Sequence, residues 1–299
     1  MNSKMLAAVG ISGLLMAGGV ISASASTSGY DLFKTAVKKT HTVNSFTAHV
    51  QASLVDNKKE VYTVDSTNKE NLKSDSGSST VSVTNGGKTT QVDFYNQNHQ
   101  SVIKSSDDAK FYVRKGGEGE RKFKHKKHKG EELSPQMQND VEGIFDALTK
   151  NYQDSVTSKD LGNGNTELEL TLSKSEIPAV GQAVASFFLK NLDQQKEHMD
   201  KKEFGSLKFS DLKPQLPKLQ NNIVVSSVDL KGQVNADQYL TGQEATISVS
   251  GDEANGTHHD LVLHITSNLD NLNKTEVTGV SLKGEKVVQM KEKHDRHED

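Results

Sequence analysis

Between Phe46 and Val113 apolar and polar residues take turns along the chain. Phe46, Ala48, Val50, Ala52 and Leu54 share one face, and Thr47, His49, Gln51 and Ser53 share the other. That period of two is the signature of a strand with one buried side. The pattern resumes at Val61–Val64 after the turn-like Asp56-Asn57. It continues through Val81 and Val83, and through Val92 and Phe94 beyond Asn85-Gly86-Gly87. Asn-Gly between alternating runs is a strong hairpin signal. Short runs at Ser101–Lys104 and Phe111–Val113 extend the same antiparallel meander, with no helical crossover between strands. The alternation therefore predicts a large curved sheet, and function depends on what lies over its apolar face.

Helical spacing occurs on both sides of this meander. Tyr30, Leu32, Phe33, Ala36 and Val37 predict a helix over about 30–39, with Ser28 or Asp31 as its cap. After Ser134-Pro135, residues Met137, Val141, Ile144, Phe145, Leu148 and Tyr152 recur at helical intervals, which predicts an amphipathic helix. Pro178 opens another, carrying Val180, Val184, Phe187, Phe188 and Leu192. Between these two helices, Leu168, Leu170 and Leu172 alternate as one strand after the Asn163-Gly164 turn. The stretch 194–219 is charged and interrupted by Pro214 and Pro217, which predicts a long covering loop. Three further strands follow, around Val224–Leu230, Ala245–Val249 and Leu261–Ile265, with 252–256 as the turn between the last two. An edge strand is expected within 277–288.

Composition narrows the picture. Only 33% of the 299 residues are hydrophobic and there is no Trp, so the core must be thin, as in an open sheet with one wet face. The formal charge of −3 argues against a nucleic-acid partner. The absence of cysteine excludes disulfides, thiol nucleophiles and lipidation after the leader. Residues 1–25 read as a signal peptide: Lys4 precedes an apolar stretch from Met5 to Ile21, and Ala23-Ser24-Ala25 forms a cleavage signal. An uncleaved anchor is the alternative. The expected organisation is a signal peptide over 1–25, one domain over 26–288 and a charged tail over 289–299.

Residues 114–129 hold eight Lys or Arg against two Glu, with His125 and His128 among them. Such a run is ordinarily a solvated connection. It can also dock anionic membrane or wall polymer, with Lys122, Lys124, Lys126 and Lys127 as the contacts and with a strength that falls as salt rises. Metal binding by the two histidines is disfavoured by the surrounding ammonium groups. No nucleophile elbow, phosphate-binding loop, zinc-protease or EF-hand motif is present, so the sequence offers no catalytic residues, no cofactor and no metal site.

Tyr30-Asp31-Leu32-Phe33 leading into Ser45-Phe46-Thr47-Ala48, the uninterrupted meander, the helical interlude and the Val249–Ile265 hairpin together resemble the LolA/LppX superfamily of envelope lipoprotein-sorting and lipid-carrier proteins. The resemblance spans about residues 30–280. It implies an α+β half-barrel of about eleven antiparallel strands, whose concave face is covered by helices and holds acyl chains. On that reading the residues facing a lipid or lipopeptide are Val50, Ala52, Phe94, Ile144, Phe145, Val184 and Phe188. The competing expectation is an envelope interaction module with a filled core that docks through the basic loop. If the leader is a signal peptide, N-terminal sequencing of the exported protein should begin at Ser26. A membrane-retained product still carrying 5–21 would establish the anchor instead.

Overall fold

A computed structural model describes residues 28–115, 152–177, 203–204, 207–208 and 212–290. Its first element is helix α1 (Gly29–Thr40). The Ser28 hydroxyl caps it by accepting from the Asp31 amide, and Lys38 and Lys39 in the last turn complement the dipole.

The meander follows as β1 (Ser45–Asp56), β2 (Lys59–Asn71), β3 (Ser76–Asn85), β4 (Lys88–Gln97), β5 (Gln100–Ser105) and β6 (Phe111–Lys115). Two-residue turns join β1 to β2 at Asn57-Lys58, β3 to β4 at Gly86-Gly87, and β4 to β5 at Asn98-His99. All six of these residues have positive φ. That geometry matches the twist of the flanking strands, and glycine adopts it at no steric cost. The chain continues through β7 (Thr157–Gly162) and β8 (Asn165–Ser173), then through the two-residue strands β9 (Glu203–Phe204) and β10 (Leu207–Lys208). It closes with β11 (Asn221–Val234), β12 (Leu240–Asp252), β13 (His258–Asp270) and β14 (Val287–Gln289).

Among the described residues twelve of these strands form one open, curved sheet in the order β14-β6-β5-β4-β3-β2-β1-β13-β12-β11-β8-β7, and β9 pairs with β10 apart from it. The sheet is antiparallel except for β14, which runs parallel to β6, so it is mixed. Strand β7 was not expected from the sequence. Every residue in it is exposed, and its Thr-Ser-Lys-Asp-Leu-Gly has no apolar alternation, because as an edge strand it needs only a partner in β8.

Alternation gives the sheet two unlike faces. Ala52, Val64, Val81, Val83, Val92, Ile103, Tyr112 and Ile265 point to one side and form a single cluster with Leu212. Leu54, Leu172, Val225, Val249 and Leu261 continue it. This side is the core face. Helix α1 closes one end, with Ala36 and Val37 packed on Leu168, Val234 and Leu240. The opposite face is mostly polar, apart from the paired Val55 and Val262 and an apolar area near β5 and β6. There Val102, Phe111 and Val113 are buried under Val280, Leu282 and Val287 of the chain returning from β13. The returning segment is pinned along its length. The Asn273 amide donates to the Ser45 carbonyl at 2.6 Å, and the Gln97 side chain bonds both the N–H and the C=O of Val280, at 2.6 and 2.8 Å.

Thr40 ties α1 to the sheet. Its hydroxyl donates to the Ala36 carbonyl at 2.8 Å and accepts from the Leu240 amide at 2.8 Å, both in the interior. Thr40→Val should strand that buried amide and cost about 1–3 kcal/mol in urea denaturation, with Thr40→Ser losing much less. A larger loss in Thr40→Ser than in Thr40→Val would show that the methyl group, and not the hydroxyl, holds the helix.

Candidate functional site

The centre of the core face is floored by small side chains. Along β1, Ala48, Val50 and Ala52 are buried. Val50 lies opposite Ser66 on one side and Ser267 on the other, and Ala52 lies between Val64 and Ile265. Ser79, Val81 and Ala245 extend the floor across β3 and β12. Phe94 is half-buried and packs on the same cluster as Ala52. Ser267 is 1% exposed and its Oγ has no hydrogen-bond partner. A buried hydroxyl ordinarily has one.

The floor grows polar toward the β2–β3 turn. Ser79 Oγ donates to Asn68 Oδ1 at 2.5 Å, and Asn68 Nδ2 donates to Ser66 Oγ at 3.1 Å. Next on β2 comes Glu70, paired with Gly77, and its carboxylate folds across the glycine. A Cβ at position 77 would meet Glu70 Oε2 at 2.7 Å, so a larger residue there would push the carboxylate aside. Burial first, and then the nearby Asp75 charge, pushes the Glu70 carboxyl up to about 7.

At the other end of the floor the segment 212–220 crosses the core face. Leu212 enters the first cluster, and Leu216 and Leu219 enter the second. Tyr62 Oη donates to the Leu212 carbonyl at 2.6 Å, and Asn85 Nδ2 donates to the Lys213 carbonyl at 2.8 Å. Burial pushes the Tyr62 phenol up to about 12, so it remains a donor. Leu219 rests on Gly251, where a Cβ would lie 3.2 Å from its Cδ1.

Two histidines stand where this segment ends. His259 Nδ1 lies 2.9 Å from Asp56 Oδ2, while its Nε2 is buried without a hydrogen bond, 4.0 Å from Glu253. His258 Nδ1 lies 2.6 Å from Asp252, whose other oxygen accepts from Asn222. The Asp252 contact raises the His258 pKa above its ordinary value, and the Asn222 and His258 bonds lower that of Asp252. These pairs join the β1–β2 turn, the β12–β13 turn and the start of β11. No group of three His, Asp or Glu among the described residues has the arrangement to hold a metal ion.

A separate open depression of about 350 Å³ lies on the polar face, lined by Gln51, Ser53, Thr63, Asp65, Ser82 and His264 among others. Its polar groups bond one another. Gln51 donates to Asp65 at 2.7 Å, and the Thr246 hydroxyl lies 2.9 Å from His264 Nδ1. Such cross-strand bonds are usual on the wet side of an antiparallel sheet.

Of the residues expected to face a ligand, Val50, Ala52 and Phe94 lie on the core face, with Ala52 and Phe94 in one cluster. Ile144, Phe145, Val184 and Phe188, and Lys122, Lys124, Lys126 and Lys127 of the basic loop, lie outside the described residues, as do the signal segment and 291–299. Sequence reasoning missed Tyr62, Asn85 and Lys213, which position the covering segment. Pro214 and Pro217 mark that segment, but nothing local marks its partners, more than 120 residues away. No helix among the described residues is long and apolar enough to cross a membrane. No family model and no curated protein matches the chain.

Glu70 yields a pH prediction. Its folded value, about 7, stands above the ordinary 4.5, so the fold favours the protonated carboxyl. The stability it contributes is fully present below pH 4.5 and is lost as pH rises through 7. Glu70→Gln should therefore match the wild type near pH 4 and exceed it by about 1–2 kcal/mol at pH 8, allowing for partial solvent screening. An unchanged pH slope in thermal melts of the variant would contradict this.

Proposed function

We propose that the chain is a secreted or envelope-associated, non-enzymatic binding protein that carries or senses a lipid or lipopeptide on the core face of its sheet. The observation that carries this reading is the makeup of the floor. Ala48, Val50, Ala52, Ser66, Ser79 and Ser267 are all buried, all small, and include a hydroxyl with no partner. A face that only needed filling would be served by Leu, Ile and Phe, which remove more apolar area from water per position. A floor of small side chains keeps depth above it for a guest, and its polar row gives a head group or amide something to bond.

The resemblance to the LolA/LppX superfamily supports the same reading, with helices over the concave face as the roof. In this arrangement Val50, Ala52 and Phe94 form the floor, and the resemblance implies that Ile144, Phe145, Val184 and Phe188 belong to the roof. The exposed His258 and the His264–Thr246 pair serve the sheet's hydrogen bonding and have no part in chemistry.

Native mass spectrometry of protein purified from a bacterial host tests the reading. We expect a co-purified acyl species that Ala52→Phe displaces while the melting temperature barely changes. An apo spectrum, with Ala52→Phe costing the about 1–3 kcal/mol of an overpacked core, would overturn it.

A further inference from the structure

Lys213 begins the segment that crosses the core face, and its backbone is held at two successive carbonyls. Tyr62 Oη bonds the Leu212 carbonyl at 2.6 Å, and Asn85 Nδ2 bonds that of Lys213 at 2.8 Å. The preceding side chain, Leu212, is buried in the cluster of Ala52, Val64, Val81 and Val83. Lys213 therefore stands at the rim of the apolar floor, on backbone fixed to β2 and β3.

Its Nζ is shut off from solvent and has no hydrogen-bond partner. Lysine normally does the reverse, laying its stem on apolar surface and sending the ammonium to water. The residue as a whole is half-buried, so it stands close to the surface. Three carboxylates at this end of the sheet have other partners: Asp56 bonds His259, Asp252 bonds His258 and Asn222, and Glu253 accepts from the Lys218 amide. An ammonium held out of water without a counter-charge is unfavourable. A site that binds an anion there recovers that cost when it is occupied.

We infer that Lys213 anchors the anionic head group of an amphiphile whose chain lies along the core face. This rests on the carrier reading above and narrows its ligand class. The head is a carboxylate or a phosphate monoester, since a lysine ammonium is a compact point charge that accommodates either. The alkyl chain runs from this rim over Val83, Val64 and Ala52, which neighbour one another across β3, β2 and β1.

The test is titration of the delipidated full chain with laurate, dodecyl phosphate and dodecanol, three probes with the same chain and different heads. At least one anionic probe should bind about tenfold or more tightly than dodecanol, and which one does so identifies the head-group source. Lys213→Gln should erase that preference while leaving dodecanol affinity unchanged, and Lys213→Arg should retain most of it. Equal affinity of the wild type for all three probes, or a preference that survives Lys213→Gln, overturns the head-group assignment and leaves the carrier reading standing. Binding of none of them overturns both. If Lys213→Gln fails to fold, Lys213→Met takes its place in the same comparison with the same deciding results.

Discussion

The pairing of β1 with β13 is the constraint on which the rest of the sheet depends. It joins residues more than 200 positions apart, from Thr47 with Asp270 to Asp56 with Leu261, and fuses the N-terminal meander to the C-terminal strands. Its register places Ala52 beside Ile265 and Leu54 beside Leu263, so the apolar faces of the two halves are continuous. A slip of one residue would put His264 and Thr266 on the core face and expose Ile265 and Leu263. Closing so long a loop is entropically expensive, and it is repaid only when both faces match along the whole strand. The Asp56–His259 pair and the bonds of Asn57 to the backbone of His258 and Asp260 clamp one end of this junction, and Asn273 with Ser45 and Asn44 clamps the other.

Fixing this register separates the two faces by chemistry. The polar face satisfies its own groups through cross-strand bonds and, toward β5 and β6, is covered by the returning C-terminal segment. The core face is different in kind. Its centre is small and apolar, it grades into Ser66, Asn68, Ser79 and Glu70 along β2 and β3, and it leaves Ser267 Oγ and Lys213 Nζ without partners. A chain under selection only for stability would replace these groups, because buried unpaired donors are among the most costly features of a fold. Their place on one face is the physical reason the proposed binding is assigned there.

Much of the sheet was legible in the sequence because its information is local. The alternation in β1, the Asn85-Gly86-Gly87 and Asn163-Gly164 turns, and the Ser28 cap of α1 each specify their own geometry. What was not legible is non-local or carries no pattern. Strand β7 has a single leucine and no alternation; an edge strand was expected within 277–288, and β14 falls at the end of that stretch, but its parallel pairing with β6 had no local signal; and nothing near Tyr62 announces that its hydroxyl will hold the Leu212 carbonyl. At the site, Val50, Ala52 and Phe94 could be assigned to a face by counting in twos. Lys213 could not, since a lysine between a leucine and a proline reads as solvated until Tyr62 and Asn85 fix its backbone.

The central claim is that the ligand occupies the core face and not the open depression on the polar face. Intermolecular NOEs from ¹³C-labelled laurate to the assigned methyl groups of the protein test it most directly. The account predicts contacts to Ala52, Val64, Val81 and Val83. Contacts confined to Thr63, Thr84 and Thr266 on the opposite side would contradict it.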